Sequence, residues 1–345
     1  MASPSFDFAV IGINHNHIFG QVDALRDAGC RLVAFHAVED DLAANFAKVY
    51  PGARRVADER AILDDPGVRV VASASIPGDR TPVAVRAMRA GKDVLVDKPA
   101  CVSDAQLEEL RRVQAETGRI VSILYSEHYL QPSTVEAARL VAAGAIGRVV
   151  STIGLGPHRI GLHDRPAWFW DVARGGSILT DIAAHQFEQF LFFTGSTSAR
   201  ILSSVEANLD HPERPGWCDY GHATVASDHA VGFVRVDWMT PRGSPVWGDG
   251  RLFLTGTEGT IELRKYTDTE GRPGGDHLFL TDARGTRYID CSRTPLDFGV
   301  RFRDDVLNGT ETAMSQAHGF LAMQLALDAH RLAVPIGGAR PEMPA

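Results

Sequence analysis

Short apolar segments and helix-like segments alternate along the first third of the chain. Five segments are apolar and rich in β-branched residues, and they cover residues 6–13, 30–36, 68–76, 93–96 and 119–125. Segments with the helical spacing of apolar residues separate them, at 18–28, 40–50, 82–90 and 104–117. Short apolar strands joined by helices predict a parallel sheet covered on both faces, with ligand sites at the carboxyl ends of its strands. We therefore expect a Rossmann-type, doubly wound dinucleotide-binding domain in residues 1–125.

The pattern changes after a helix that the spacing predicts at 132–143. From residue 149 onward strand-like segments dominate, at 149–155, 200–209, 220–227, 229–239, 251–256, 259–264, 277–281 and 286–290. Hairpin turns are predicted at 257–259 and 282–285. Consecutive strands indicate an antiparallel sheet. Helices at 296–309 and 314–333 and a tail at 334–345, which we expect to fray, complete a second domain over 126–345.

Composition and charge limit the classes of partner. The chain has 345 residues, of which 44% are hydrophobic, and this is enough to form cores in two domains. A net charge of -8 without a basic stripe argues against nucleic acid or an anionic membrane as a partner. The cysteines, Cys30, Cys101, Cys218 and Cys291, are far apart and predict neither a disulfide framework nor a zinc cluster. With no signal-like N-terminus and no apolar run near the roughly 20 residues of a membrane span, we expect a cytoplasmic protein.

The turn after the first predicted strand is the candidate phosphate-binding loop. A Rossmann domain has a glycine-rich turn here, because the backbone must approach the pyrophosphate at a helix N-terminus. This chain keeps Gly12 but has Asn14 and His17 where the other two glycines are usual. Asn14 tolerates a positive φ, and His15 or His17 can hydrogen-bond to phosphate. The alternative is a plain strand-to-helix turn with exposed histidines.

An acidic residue at the end of the second strand usually binds the ribose 2′-hydroxyl of NAD. Here Glu39 lies two residues beyond the usual position. Either Glu39 contacts the cofactor, or Glu39 and Asp40 cap the next helix, and the sequence leaves both readings open.

An acid and a histidine four residues apart follow the glycine pair Gly175 and Gly176. On a helix this spacing places Asp181 and His185 on one face, one turn apart. A carboxylate beside an imidazole can fix the tautomer of the ring and suit it to proton transfer near neutral pH. The alternative is a solvated or capping pair without chemistry.

Four elements together resemble the Gfo/Idh/MocA oxidoreductases. They are the first strand with Gly12, the run Ala90-Gly91-Lys92-Asp93-Val94-Leu95-Val96-Asp97-Lys98-Pro99 with Asp97 where the family motif has Glu, the segment 144–149, and the segment from Gly175 to His185. The resemblance implies a Rossmann domain and an α+β domain with a large, open, mainly antiparallel sheet, whose exposed face forms a homodimer or homotetramer. It also implies a nicotinamide cofactor, NAD or NADP.

The resemblance assigns catalytic roles to three residues. Lys98 would orient the substrate oxygen at the nicotinamide end and support the alkoxide, Asp181 would hold the substrate or the imidazole, and His185 would exchange the proton. These roles agree with the chemistry, because hydride leaves carbon readily only as the hydroxyl is deprotonated. Without the resemblance, Lys98 would be interpreted as a surface lysine at a strand end.

Other candidates are less specific. By the resemblance, the cofactor also contacts Ser75, Pro77, Pro99 and Glu127. A segment rich in aromatic and donor groups precedes the glycine pair and suits a polyhydroxy substrate, with loop packing as the alternative, and its candidates are His158, His163, Trp168, Trp170 and Arg174. The histidines and acids of this region lack tight ligand spacing, so no metal is expected.

The leading hypothesis is therefore an NAD(P)-dependent dehydrogenase or reductase that transfers hydride between nicotinamide and a hydroxyl or carbonyl of a sugar, cyclitol or related polyol. A second hypothesis is an enzyme that uses NAD to cleave glycosides with no net redox change. A third is a regulator that senses a dinucleotide or another ligand without catalysis. The set Lys98, Asp181 and His185 argues against the third, because a sensor needs no proton-transfer group.

Overall fold

The computed structural model describes residues 5–161 and 165–336. These residues form two compact units. Within the described residues, the first unit contains 5–124 and 297–320, and the second contains 125–161, 165–296 and 321–336. No helix in the described part of the chain is both long and apolar enough to cross a membrane.

The first unit is built on a six-stranded parallel sheet with the order β3-β2-β1-β4-β5-β6. Its strands are β1 (Asp7–Ile11), β2 (Arg31–His36), β3 (Arg54–Arg55), β4 (Val68–Ser73), β5 (Asp93–Asp97) and β6 (Val121–Leu124). Its helices are α1 (His17–Asp27), α2 (Asp40–Val49), α3 (Arg60–Leu63), α4 (Pro77–Arg89) and α5 (Asp104–Thr117). The order 3-2-1-4-5-6 is that of a dinucleotide-binding Rossmann sheet, with the chain reversal beside β1.

The parallel sheet forms because its strands are buried on both faces. All five residues of β5 and all four of β6 are buried. Helix α4 begins at Pro77, five residues before the predicted start, because proline fits the first helical turn, where no N–H is needed. The pattern missed β3 and α3, because segments of two and four residues are too short to show a period.

A later segment packs into the first unit as well. Helix α11 (Phe298–Asn308) contacts α1 so closely that a Cβ on Gly299 would lie 2.0 Å from the carbonyl oxygen of Ala24. Arg303 donates to the carbonyl of Ala28 at 2.7 Å. The sequence analysis placed 297–320 in the second domain, whereas the structure places these residues in the first unit. The sequence could not predict this, because a close helix–helix contact leaves no periodic signal.

The second unit contains a nine-stranded sheet in the order β14-β13-β12-β11-β7-β10-β9-β8-β15. Its strands are β7 (Val149–Pro157), β8 (Arg200–Ala207), β9 (Tyr220–Ala226), β10 (Val231–Asp237), β11 (Arg251–Gly256), β12 (Thr260–Arg264), β13 (His277–Asp282), β14 (Gly285–Asp290) and β15 (Val334–Ile336). Its helices are α6 (Ser126–Tyr129), α7 (Pro132–Ala142), α8 (Val172–Gly175), α9 (Ile178–Asp181) and α10 (Ala184–Thr194), and α12 (Gln316–Leu332) begins in the first unit and continues into the second.

The pairing is antiparallel except between β7 and β10 and between β8 and β15. Both predicted hairpins are confirmed, and so is the predicted fold class. The expectation that the tail frays is wrong for 334–336, because these residues gain backbone hydrogen bonds by pairing with β8. Residues 337–345 lie outside the described residues.

Candidate active site

The turn after β1 is tight and depends on Gly12. Its φ is +81°, and a Cβ there would lie 2.4 Å from the Cβ of Ser75. Backbone bonds from Ala74 to Gly12 and from His15 to Ala74 join the turn to the end of β4. The first glycine of the loop is thus required by both conformation and space, and Ser75 lies directly against it.

Asn14 and His17 occupy the two other glycine positions of the loop, and the side chains of both make hydrogen bonds. The Nδ2 of Asn14 donates to Oε1 of Glu39 at 2.7 Å, so the carboxylate at the end of β2 lies beside the turn. Glu39 immediately precedes α2, but its side chain does not cap that helix. Of the two readings left open by the sequence, the side-chain cap by Glu39 is wrong. The contact of Glu39 with a ribose stays a prediction.

Asp97 is the centre of a polar cluster that the sequence did not reveal. Its fully buried carboxylate receives Nη2 of Arg80 at 2.9 Å and Nδ1 of His17 at 2.9 Å. Burial alone would raise the pKa of the Asp97 carboxyl, but the positive charges of His17 and Arg80 lower the pKa of this group below its usual value. Asp97 is therefore held ionised at the end of β5, next to the candidate phosphate-binding turn.

Three possible metal-ligand atoms meet in this cluster. Nitrogens of His15 and His17 and an oxygen of Asp97 lie within 4.8 Å of one another. Burial lowers the pKa of His15 well below its usual value, and the neighbouring charges of His17, Lys98 and Arg80 lower that pKa further, partly opposed by Asp97. Because Arg80 already pairs with Asp97 and the charges of Arg80 and Lys98 lie beside these atoms, the environment is unfavourable for a metal cation.

Lys98 and Pro99 follow β5 directly. Lys98 is buried, so the interpretation as a surface lysine is wrong, and its peptide bond to Pro99 is cis. Nη1 of Arg80 donates to the carbonyls of both Lys98 and Pro99. The first unit thus gathers most cofactor candidates at the carboxyl edge of one sheet, and these are Gly12, Asn14, His15, His17, Glu39, Ser75, Pro77, Lys98 and Pro99.

The glycine pair of the second unit sets the direction of the segment that carries Asp181. Gly176 has a φ of +80°, and a Cβ on Gly175 would lie 2.9 Å from the carbonyl oxygen of Trp168. The Ser177 hydroxyl then accepts the N–H of Thr180 and caps α9, which ends at Asp181.

The expectation of one helix carrying Asp181 and His185 is wrong in one respect. Helix α9 ends at Asp181 and α10 begins at Ala184, and the N–H of His185 donates to Ile182 instead of Asp181. The regular helix is therefore interrupted between the two residues. Burial lowers the pKa of the Arg165 guanidinium, and the charge of Asp181 opposes that shift.

His185 lies in a buried position at the start of α10. It is 2% exposed, and its ring meets the ring of Tyr125 edge-on at 6.3 Å. Helix α10 lies close to β7 because Gly154 and Gly156 leave room for the Gln186 side chain, which a Cβ at Gly154 would approach to 2.6 Å. The close approach to β7 therefore fixes the distance of the first turn of α10 from the sheet, and with it the position of His185.

Glu127, predicted as a cofactor contact, is buried in the second unit. Its Oε2 receives Nζ of Lys265 at 2.9 Å and Nε2 of Gln186 at 3.1 Å. The same ammonium donates to Gln189 at 3.1 Å. This ion pair joins α6, α10 and the residue after β12. Glu127 and Lys265 are 138 residues apart, so no local sequence pattern could predict their contact.

The predicted substrate residues have different surroundings. The His158 ring contacts Trp247 at 4.4 Å and Trp238 at 5.4 Å, whereas Trp170 packs against Trp217 at 4.8 Å. Trp168 lies in the same 3₁₀ turn as Trp170, Arg174 is exposed on α8, and His163 lies outside the described residues.

Trp247 is the aromatic residue that sequence reasoning missed. It is 45% exposed, and its ring lies 4.8 Å from that of Tyr266 as well as against His158. Two bonds from the Arg159 guanidinium, to the carbonyls of Ser244 and Val246 at 2.7 and 2.6 Å, hold its loop. Trp247 lies in a long loop, where the absence of periodicity gives no signal that an aromatic side chain is exposed beside His158.

The first unit has the features of a dinucleotide-binding domain. The strand order, the left-handed Gly12, the carboxylate of Glu39 after β2 and the cations beside Asp97 fit the adenosine ribose and the pyrophosphate of a nicotinamide dinucleotide. The class of protein is thus a two-unit chain with a Rossmann dinucleotide site and a sheet-based second unit.

Comparisons with known proteins identify the family. Residues 6–125 match the model of the oxidoreductase family with an NAD-binding Rossmann fold, and residues 134–262 match the GFO/IDH/MocA C-terminal domain. The chain belongs to the GFO/IDH/MocA oxidoreductase family. The predictions of this family, of an oxidoreductase and of a nicotinamide cofactor are confirmed.

Individual relatives agree with this result. The chain is 35% identical to inositol 2-dehydrogenase 2 of Saccharopolyspora erythraea over 71% of each chain. It is 26% identical to D-xylose dehydrogenase of Paenarthrobacter nicotinovorans over 55% of this chain, and that match spans about half, 49%, of the relative's length. A crystal structure of a protein from Erwinia carotovora atroseptica SCRI1043 has a TM-score of 0.93 and 40% identity, covering 96% of this chain and all of that one (100%).

Proposed function

We propose that the protein is an NAD(P)-dependent dehydrogenase or reductase that acts on a hydroxyl or carbonyl of a cyclitol, sugar or related polyol. The observation that carries this proposal is the buried His185 at the start of α10, four residues after Asp181, in a chain whose other unit is an NAD-binding Rossmann domain. The names of the inositol and D-xylose relatives support the substrate class.

The proposed mechanism divides the chemistry between cofactor and protein. The nicotinamide ring supplies the hydride acceptor or donor. Gly12, Asn14, His15 and His17 would hold the pyrophosphate end, with Glu39 at a ribose. Ser75, Pro77, Lys98 and Pro99 are proposed as further cofactor contacts, together with Glu127 of the second unit.

The protein moves the proton. In oxidation, His185 accepts the hydroxyl proton of the substrate while the Lys98 ammonium stabilises the developing alkoxide, and in reduction the same groups act in reverse. Asp181 is proposed to hold the substrate or the imidazole. A carboxylate can accept hydrogen bonds from substrate hydroxyls, and the Asp181 charge also interacts with the Arg165 guanidinium.

The direct test is a substrate panel. The protein is incubated with NAD or NADP and a set of cyclitols, aldoses and other polyols, and absorbance at the reduced-nicotinamide band is recorded. We expect turnover with at least one member. Release of an aglycone from a glycoside without this absorbance change would instead identify the glycoside-cleaving alternative, and dinucleotide binding with neither reaction would leave the sensor as the function.

We further propose that Trp247 is the stacking surface for the apolar face of the substrate ring, beside His158. Trp168, Trp170, Arg174 and His163 remain proposed as contributors to the same wall. Exposed aromatic rings on a fixed loop lose little entropy when a ring stacks on them.

Replacing Trp247 by Phe should remove the quenching of intrinsic fluorescence on titration with the best substrate of the panel. KM should rise by about threefold to tenfold while kcat changes less, because stacking favours substrate and transition state alike. The control is Trp217→Phe, since that ring is buried, at 5% exposure, and is not proposed to contact the substrate. Unchanged quenching in the Trp247 variant would exclude this residue as the platform.

We propose a homodimer or homotetramer formed through the open face of the nine-stranded sheet. The strand register places five apolar side chains in one row across this face, and they are Phe233, Ile153, Phe253, Phe279 and Tyr288. Ile153 is 42% and Phe233 38% exposed. Glu262 of β12, which pairs with Arg264, lies in the same row between Phe253 and Phe279. An exposed and mostly apolar row is typical of an interface, and a second copy presents the same row to it.

Phe233→Glu should convert the oligomer into a monomer, as measured by size-exclusion chromatography with light scattering, because a charge cannot be buried unpaired in that row. Leu307→Glu on α11 is the control, since Leu307 is similarly exposed, at 40%, but lies in the other unit. A wild-type protein that is already monomeric at micromolar concentration would reject the proposed assembly.

The buried thiols of Cys30, Cys101 and Cys291 suit a reducing compartment, and we propose the cytoplasm.

A further inference from the structure

Arg80 is the bulkiest fully buried side chain in the described part of the protein, with 1% exposure. A buried guanidinium is unfavourable unless its donors are satisfied. Here Nε donates to the carbonyl of Ser75 at 2.8 Å, Nη2 pairs with Asp97 at 2.9 Å, and Nη1 donates to the carbonyls of Lys98 and Pro99, the latter at 3.1 Å. Three of the four acceptors, Asp97, Lys98 and Pro99, are consecutive residues at the end of β5 and the start of the following loop.

The contacts of Arg80 fix this segment in direction as well as in place. A guanidinium is planar, so its donors point along fixed directions and impose one geometry on the groups that accept them. Thr81, the next residue of α4, donates from its hydroxyl to the carbonyl of Ala100 at 2.9 Å. Residues 97–100 are therefore attached to α4 at four successive positions.

The same contacts reach the candidate phosphate-binding turn. The other oxygen of Asp97 accepts from Nδ1 of His17 at 2.9 Å, and His17 is the first residue of α1. Arg80 thus holds, through one carboxylate, both the end of β5 and the start of α1.

We propose that Arg80 is a positioning residue for Lys98: its guanidinium fixes the backbone of residues 97–99 so that the Lys98 ammonium meets the substrate oxygen. This inference rests on the role of Lys98 in the proposed function. An apolar side chain of similar volume would fill the same space at lower cost. A buried charge bonded to three successive residues is therefore explained by the geometry it imposes.

The test is a double-mutant cycle with Arg80→Met and Lys98→Met. We expect Arg80→Met to lower kcat by about 100-fold, the order of loss that follows a misplacement of about 1 Å. In the Lys98→Met background the same change should lower kcat by less than about twofold, since a positioning residue has nothing left to position. Losses that multiply fully would show that Arg80 acts independently of Lys98 and overturn the inference.

A spectroscopic measurement needs no activity. The chain has four lysines, Lys48, Lys92, Lys98 and Lys265, so lysine-selective ¹³C labelling gives a spectrum that single substitutions assign. Arg80→Met should shift the Lys98 Cε signal and leave that of Lys48 in place. An unchanged Lys98 signal would overturn the inference even if turnover fell.

Controls separate positioning from stability and from the proposed function. Arg86→Met removes another arginine of α4, whose partner is the surface residue Glu59 at 2.6 Å, and should leave kcat and the spectrum unchanged. If Arg80→Met does not fold, Arg80→Lys keeps the charge without the fork, and the same cycle and spectrum apply to it. Wild-type turnover in Lys98→Met would reject the proposed role of Lys98, whereas wild-type turnover in Arg80→Met beside a crippled Lys98→Met rejects the role of Arg80 alone.

Discussion

His185→Ala should lower kcat by about 10²- to 10⁴-fold, the range for losing a general acid–base group, while binding of reduced nicotinamide dinucleotide stays unchanged. The imidazole is buried at the start of α10 beside Tyr125, in a unit that lacks the Rossmann sheet, so its loss should not affect the dinucleotide turn. The measurements are steady-state kcat with the best substrate of the panel and fluorescence titration with the cofactor.

The loss should be similar in His185→Asn, which keeps a polar group of comparable size in the buried position and limits the effect of an empty cavity. His229→Ala is the matched control, because His229 is an exposed histidine of the same unit whose ring bonds to the backbone carbonyl of Thr194 at 3.0 Å. A His185 variant that keeps wild-type kcat would show that another group transfers the proton.

Periodicity in the sequence was sufficient to predict the repeating part of the fold. The alternation of apolar and amphipathic segments is set by burial on both faces of a parallel sheet, and this signal survives in a single sequence. The break between α9 and α10 was missed because residues 178–194 keep helical spacing throughout. The interruption at 182–183 shows only in the hydrogen bonds, where the N–H of His185 donates to Ile182.

The polar contacts of the site could be predicted only in part. The residues at strand ends, such as Gly12 and Lys98, follow from topology, since parallel strands bring their carboxyl ends to one edge. The partner of Asp97 could not be found in this way, because Arg80 lies inside a helix where arginine is ordinary. Glu39 lay two residues from the expected position, and only the contact with Asn14 at 2.7 Å shows that its carboxylate reaches the turn.

Lys265→Met should lower the free energy of unfolding by about 3–5 kcal/mol, the range for breaking a buried ion pair by removing one partner. The Nζ of Lys265 lies 2.9 Å from Oε2 of Glu127, and both side chains are almost completely buried, at 1% and 2% exposure. Without the ammonium, the Glu127 carboxylate keeps only Gln186 among these partners. Chemical denaturation followed by circular dichroism measures the loss.

The double variant Glu127→Met/Lys265→Met separates the cost of a lone buried charge from the cost of lost packing. It should be more stable than Lys265→Met alone, because removing both charges also removes their desolvation penalty. A double variant less stable than either single one would mean that packing and the bonds to Gln186 and Gln189 dominate.

The Glu127→Met/Lys265→Met variant also tests whether Glu127 contacts the cofactor. Dinucleotide affinity equal to that of the wild type would make Glu127 a structural residue of the second unit. A large loss of affinity in a folded double variant would support its proposed contact with the cofactor.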